Sequence, residues 1–411
     1  MAQLSDDCFA FGGALLPLAE AQRHIAARYA CAVGSETVPV ADACGRVLAA
    51  AFIAPINLPG HANSAVDGYA VHHADLATDA PTLLPVLSRV AAGHPSATAL
   101  PRGYAARIFT GALMPEGPDT VMMQEDCELL PEGVRLQPGI KRGANCRRAG
   151  EDVARGTTAL PAGKRLTPPD IGLLAALGQP AVSVRQRLTV ALFSTGDEIA
   201  EPPAPLRHGQ VYDANRYMLA ALLRRLGAQV IDGGILPDDP IITAQALAEP
   251  QAHLIITSGG VSTGEEDHVR AAIEASGSLE FWRVAIKPGR PVALGDIGGT
   301  PLLGLPGNPV AALVTLAALG QPLLDRLAGA TYAPPLRINL PSGFAYRKKA
   351  GRREYLRVQI ADGHAQRYPK DGAGILTSLT ESDALMELPE TMTDLAPGDL
   401  APCIPLGLLY G

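Results

Sequence analysis

The spacing of apolar and polar positions changes twice along this chain, and the changes divide it. From Val38 to about Lys164, short apolar runs such as TVPV, RVLAAAFIAP, ARIFTG and DTVMMQED alternate with Pro, Gly and Asp. That punctuation predicts small β-rich units rather than βαβ repeats. From Leu188 the pattern becomes strand–helix alternation. LTVALFST, AQVIDGGIL, HLIITS and FWRVAIKPG read as strands, and ANRYMLAALLRRLGA and DHVRAAIEASG as amphipathic helices. PVALGDIGGTPLLGLPG predicts two short strands, and PVAALVTLAALGQPLLDRLAG one long helix. This alternation predicts a doubly wound α/β domain over residues 185–328. Beyond Tyr332 short alternating strands return (RINLPSG, EYLRVQI, ALMELPE), so a small β domain is expected to close the chain. Leu15, Leu18, Ile25 and Tyr29 carry helical spacing, and Thr167-Pro168 predicts a capped helix start.

Composition adds exclusions. The chain is 47% apolar and 18% charged, without an apolar run of the roughly 18 residues a membrane helix needs, so a soluble protein is expected. The opening residues MAQLSDDCFAFGG lack the basic stretch of a secretory signal, which makes the cytoplasm the expected compartment. A net charge of −7 argues against nucleic acid, and an anionic ligand would need local cations or a metal. The six cysteines are scattered without zinc spacing, and none of the nine histidines forms His-Glu-x-x-His.

The chemistry concentrates at predicted strand ends. LIITSGGVSTGEED (254–267) is an apolar run, a glycine turn and three acids at a helix start. Gly259 and Gly260 allow the backbone to approach a phosphate. Acids beside such a turn repel a bare phosphate and make sense with a divalent cation between them. Two other readings apply here: Gly260-Val-Ser262-Thr-Gly264 fits the nucleophile elbow of serine hydrolases, and the acids could simply complement a helix dipole. Against the hydrolase, an oxyanion would form beside Glu265, Glu266 and Asp267. Lys287-Pro-Gly-Arg290-Pro offers two cations around a rigid turn, and Asn308-Pro309 starts a helix. Glu198, in Ser-Thr-Gly-Asp-Glu, and Asp238 end two neighbouring strands, and ligands in such sheets bind at the strands' carboxyl ends. Asp67, Thr110 and Asp152 occupy turns in the β-rich part.

Together SAVDGYA (64–70), IFTGALMP (108–115), AGEDV (149–153), STGDE (194–198), TSGGVSTGEED (257–267), KPGRP (287–291) and GLPGNP (304–309) resemble, in order and spacing, the molybdopterin molybdenumtransferase family, bacterial relatives of the gephyrin E domain. The resemblance implies a multi-domain α/β plus β protein, elongated and homodimeric. It implies a small linker domain (38–54 and 145–180), a β-rich lobe (55–144), a central doubly wound α/β molybdopterin-binding domain (14–30 and 181–330) and a C-terminal β domain (331–411). The implied reaction inserts molybdate into adenylylated molybdopterin with Mg²⁺-dependent release of AMP, in a cleft between subunits. A non-catalytic pterin-binding scaffold is the alternative within the same resemblance, and a molybdopterin adenylyltransferase is a candidate partner. Carried over by motif, Asp67, Thr110, Asp152, Glu198, Asp238 and Asp267 fall at catalytic positions, the last three also as Mg²⁺ ligands. Ser262, Lys287, Arg290 and Arg357, with Gly259, Gly260 and Asn308, fall at substrate-binding positions. The chain departs from the family where Arg290 replaces a lysine, where Ala373 replaces a serine, and where Ser382-Asp383 stands for Ala-Asn.

Overall fold

The computed structural model describes residues 15–261 and 268–409. Its centre is a six-stranded sheet of β1 (Thr189–Thr195), β2 (Gln229–Leu236), β3 (Leu254–Ser258), β4 (Gly277–Arg283), β5 (Pro291–Ile297) and β6 (Thr300–Leu305). In space the order is β2-β1-β3-β6-β5-β4. Alternation along β1 explains the two-layer core. Val190 and Leu192 pack with Leu219, Leu223, Leu313 and Leu323, while Ala191 and Phe193 pack with Leu247, Val269 and Ile273. A strand covered on both faces needs apolar residues at successive positions, which is why it reads as an unbroken run. The helix Leu18–Arg28 joins the first layer through Leu18 and Ile25, and Arg326 Nε donates to the Tyr29 carbonyl at 2.6 Å.

The sheet is only partly parallel. β2, β1, β3 and β6 run together, whereas β5 is antiparallel to both β6 and β4. A parallel neighbour requires a crossover of a dozen residues or more. Between β5 and β6 the chain has only Gly298-Gly299, both at positive φ (57° and 84°), the backbone of a tight hairpin. This reversal brings the start of β5 and the end of β4 to the same edge as the carboxyl ends of the parallel strands.

The predicted long helix forms over Pro309–Leu327, but its middle, Leu316–Gly320, is a π-turn. Pro322 lacks the N–H that would close an ordinary turn, so the ladder widens just before it. This helix is apolar and long enough to cross a membrane by length and composition, yet 83% of the window concerned is buried inside the protein. Its role is that of the core helix.

Ser35–Pro39 pairs with Ala181–Arg185 and Phe52–Ile53 with Thr158–Leu160, so one small unit is assembled from separated stretches around Val40, Leu48, Leu174 and Val184. Between those stretches lies a lobe with a four-stranded sheet that includes Gly68–Val71 and Ala105–Ile108, and a second sheet of three strands. The C-terminal domain centres on Arg353–Ala361 and Ala384–Leu388. Its sheet accepts a short strand from the central chain, Ile286–Lys287, which pairs in parallel with Arg353 and Glu354.

The predicted helix start at Thr167 is a full capping box: Asp170 accepts from Thr167 N (2.9 Å) and Oγ1 (2.7 Å) and from Lys164 Nζ (2.7 Å). Burial pushes this carboxyl up, but the hydrogen bonds from Lys164 and Thr167 outweigh it, leaving it below the usual carboxylate range. A depressed folded pKa adds stability above the unfolded value and loses it as pH falls through the folded one. Asp170→Ala should therefore cost about 1–3 kcal/mol at neutral pH. In thermal melts the gap from the parent chain should narrow in acid; a gap independent of pH would contradict the ionic account.

Candidate functional site

At the carboxyl edge the strand ends approach each other closely. Gly259 and Gly260 follow β3 with φ of 101° and 68°. A Cβ on Gly259 would lie 2.6 Å from Thr195 Oγ1 and 2.9 Å from the Thr195 carbonyl oxygen, so both space and backbone demand glycine. Asn215 stitches the turn to its neighbour, donating to Ser258 Oγ at 2.8 Å and the Gly307 carbonyl at 2.7 Å. On the other side the loops after β1 and β2 clasp each other. Asp197 N donates to Asp238 Oδ2 (3.1 Å) and Asp238 N to Asp197 Oδ1 (3.2 Å). Asp239 caps the following helix through Ile241 N and Ile242 N. Asp238 is thereby fixed at the rim beside Glu198.

These turns surround a cleft of about 980 Å³. Glu198, Asp238, Gly259, Gly260, Lys287, Arg290 and Asn308 all line it. Asn308 is the N-cap by position, but its side chain makes no capping bond. Sheet order separates the charges. The two carboxylates follow β1 and β2, whereas the Lys287–Arg290 turn leads into β5, three strands beyond β1. At the usual strand spacing that is about 14 Å. Between the two ends lies the glycine turn, with the hydroxyls of Ser194 and Thr195, buried and without a hydrogen-bond partner among the described residues.

Two cleft cations escaped the reading of the sequence. Arg283 ends β4, which runs in the same direction as β6 and so also ends at this edge. Arg352 comes from the C-terminal domain, just before Arg353–Ala361. Arg357, expected to contact substrate, does not line the cleft. It is buried, donating to Ser378 Oγ and the Gly372 carbonyl at 3.1 Å each, and burial lowers its pKa from the ordinary value. Arg352 lies in the bend before the strand, whereas Arg357 sits within it, opposite Leu385. Arg357 therefore braces residues 372–374, of which Ala373 and Gly374 line the cleft, and the Ala373 carbonyl accepts from Val310 N at 3.0 Å.

Asp67 and Thr110 meet on the β-rich lobe. Asp67 Oδ1 accepts from Thr110 Oγ1 (2.6 Å) and Thr110 N (2.8 Å), bonds that hold this carboxyl below its ordinary range. Asp152 is exposed in a turn whose backbone bonds Leu58. None of the three lines the cleft of its own chain. Ser262 and Asp267 lie outside the described residues.

Among the described residues no group of three His, Cys, Asp or Glu side chains could hold a metal by itself. Glu198 and Asp238 supply oxygen donors only. That set suits Mg²⁺, which commonly takes one or two carboxylates and completes its shell with water and phosphate oxygens.

Comparison with known proteins agrees with this architecture throughout. Residues 16–178 match the family described as MoeA N-terminal region (domain I and II), 191–326 a probable molybdopterin binding domain, and 339–406 the MoeA C-terminal region (domain IV). A Haemophilus influenzae protein named molybdopterin molybdenumtransferase is 38% identical over 386 residues, covering 92% of this chain and 95% of that one. A Mycobacterium tuberculosis protein named molybdopterin molybdenumtransferase 2 is 36% identical, covering 88% and 93%. The crystal structure of a molybdopterin biosynthesis moeA protein from Pyrococcus horikoshii superposes with a TM-score of 0.81 at 28% identity, covering 95% of this chain and all of that one. Lengthwise agreement of this kind replaces the hydrolase reading of Ser262, and the chain belongs to the molybdopterin molybdenumtransferase family.

Proposed function

We propose that this chain transfers molybdenum from molybdate to molybdopterin in the cleft at the carboxyl edge of the central sheet, taking the pterin as its adenylyl derivative. The observation that carries this reading is the separation of charge inside one cleft. Carboxylates at 198 and 238 stand at one end, cations at 283, 287, 290 and 352 at the other, and a glycine turn with unpartnered hydroxyls between. A ligand with a diphosphate and an attached metal-binding dithiol uses both ends.

In the proposed reaction water adds at a phosphorus of the pyrophosphate and the P–O–P bond breaks, giving AMP and the molybdopterin monoester. The two dithiol sulfurs bond molybdenum and displace one oxide, which leaves with the two thiol protons as water. Lys287, Arg290 and Arg352 hold the tetrahedral dianion by charge-assisted hydrogen bonds. Ser194, Thr195 and the Gly259-Gly260 turn orient the phosphates, and the buried floor limits water. Glu198 and Asp238, with Asp267, are the side chains that would hold Mg²⁺, which when bound neutralises pyrophosphate charge.

Asp67, Thr110 and Asp152 belong to the same reading only if they come from a second copy of the chain. Their absence from their own cleft supports a homodimer with shared sites. A cytoplasmic location is part of the same proposal, and the adenylyltransferase that makes the substrate is the fitting partner.

AMP release from adenylylated molybdopterin should require Mg²⁺ and rise with molybdate; no AMP under any of these conditions would defeat the proposal. Arg352→Ala should raise the molybdate KM at least tenfold with little change in Tm, whereas Arg357→Ala should lower Tm; the reverse assignment would restore Arg357 as the contacting residue. Ala373→Ser should lower the molybdate KM several-fold, because a hydroxyl there faces the cleft, and an unchanged titration would show that it is not needed. Mixing inactive Asp67→Ala and Asp238→Ala chains should recover about a quarter of parental activity through hybrid dimers. No recovery on subunit exchange would refute the shared site.

A further inference from the structure

We infer that Glu354, together with Tyr346, is a positioning residue that aims Lys287 into the cleft and so governs affinity for the oxyanion. This rests on the reading that Lys287 holds molybdate. Glu354 is only 1% exposed, on a strand of the C-terminal domain. A carboxylate so deeply buried is costly unless it is paired. Its Oε2 accepts from Lys287 Nζ at 3.1 Å and from Tyr346 OH at 2.8 Å. The Lys287 side chain is itself 51% exposed and lines the cleft. An unanchored lysine on a half-open surface would spread its charge over many rotamers. The pair fixes one rotamer and leaves two of the three ammonium protons for Tyr346, 3.5 Å away, or an incoming anion.

The backbone enforces the meeting. Ile286–Lys287 leaves the central domain and pairs in parallel with Arg353 and Glu354, Lys287 opposite Glu354, while Arg353 N donates to the Ala285 carbonyl at 2.9 Å. Arg352 lies in the bend just before that strand and Glu354 is the strand's second residue. One of them lines the cleft and the other acts through Lys287. Buried Lys348 donates to the Arg352 carbonyl at 2.6 Å and fixes the start of the strand.

Tyr346 carries the arrangement further. Its ring lies 4.9 Å from the Arg367 guanidinium, which binds both carboxylate oxygens of Asp371 at 2.6 and 2.7 Å. Asp371 opens the segment whose Ala373 and Gly374 line the cleft. Burial, reinforced by the Glu354 hydrogen bond, raises the Tyr346 phenol well above its ordinary pKa, so it remains a donor. Lysine and loop are thus set by one connected group of side chains.

The test is steady-state turnover of the full chain with Mg²⁺, titrating molybdate and adenylylated molybdopterin separately. Glu354→Leu should raise the molybdate KM tenfold or more while moving the pterin KM less than twofold. Glu354→Gln, which keeps an acceptor for both partners, should remain within about threefold of the parent. Tyr346→Phe should raise the molybdate KM a few-fold, and it carries the test if the leucine variant does not fold. In a Lys287→Met background Glu354→Leu should add nothing, since it acts only through the lysine. A folded Glu354→Leu with unchanged molybdate KM, or both KM values rising together, overturns the inference. A parent chain without molybdate-dependent turnover would instead defeat the functional reading on which it rests.

Discussion

The structure depends on how closely the ends of parallel strands can come together. At Thr195 and Gly259 they meet with no room for a side chain, which leaves the turn nothing but backbone to present, with the Ser194 and Thr195 hydroxyls buried beneath it. A surface of that kind suits a phosphate, because N–H groups can approach it without steric competition. The same crowding forces charged side chains away to the flanks. Carboxylates end up after β1 and β2, and cations around the turn that enters β5. Separation of charge in the cleft is therefore a consequence of sheet order and does not require any long-range steering.

An overall charge of −7 opposes the approach of anions, so their capture has to be local. Arg283, Lys287, Arg290 and Arg352 line one cleft from two domains, and on the proposed function they provide it. The central sheet contributes three of the cations and the C-terminal domain contributes Arg352, together with the carboxylate that anchors Lys287. Ile286–Lys287 is the joint between them, being covalently part of one domain and hydrogen-bonded into the sheet of the other.

Much of this was legible before the fold was seen, and the reasons are particular. The strands Thr189–Thr195 and Leu254–Ser258 are covered on both faces, so their composition alone identifies them. Thr167-Pro168 announced a helix start by local chemistry, as did Asn308-Pro309. Seven cleft residues were found because strand ends in such sheets share one edge. What could not be read was orientation. The Gly298-Gly299 hairpin sets β5 antiparallel to β6, and β4, antiparallel to β5 in turn, runs with the parallel strands and carries Arg283 to the edge. Arg352 and Arg357 are indistinguishable as residue types, but one sits in the bend before the strand and lines the cleft, while the other lies within the strand and donates to the Gly372 carbonyl. The π-turn before Pro322 was likewise hidden, because the proline reads equally well as a kink or a break.

The placement of Asp67 gives the lobe its part in the argument. A carboxylate held by a neighbouring hydroxyl and amide is rigid and ionised, and its Thr110 clasp joins the ends of two strands. Such a clasp would be sufficient as turn chemistry. What sets it apart is that Asp67, Thr110 and Asp152 all lie on stretches shared with the family, yet none touches the cleft of its own chain. One chain supplies the cations and the glycine turn but leaves these groups pointing elsewhere. On the proposed function, a second copy is the simplest way to bring them to that edge, and their distance from their own cleft is the physical argument for an assembled site.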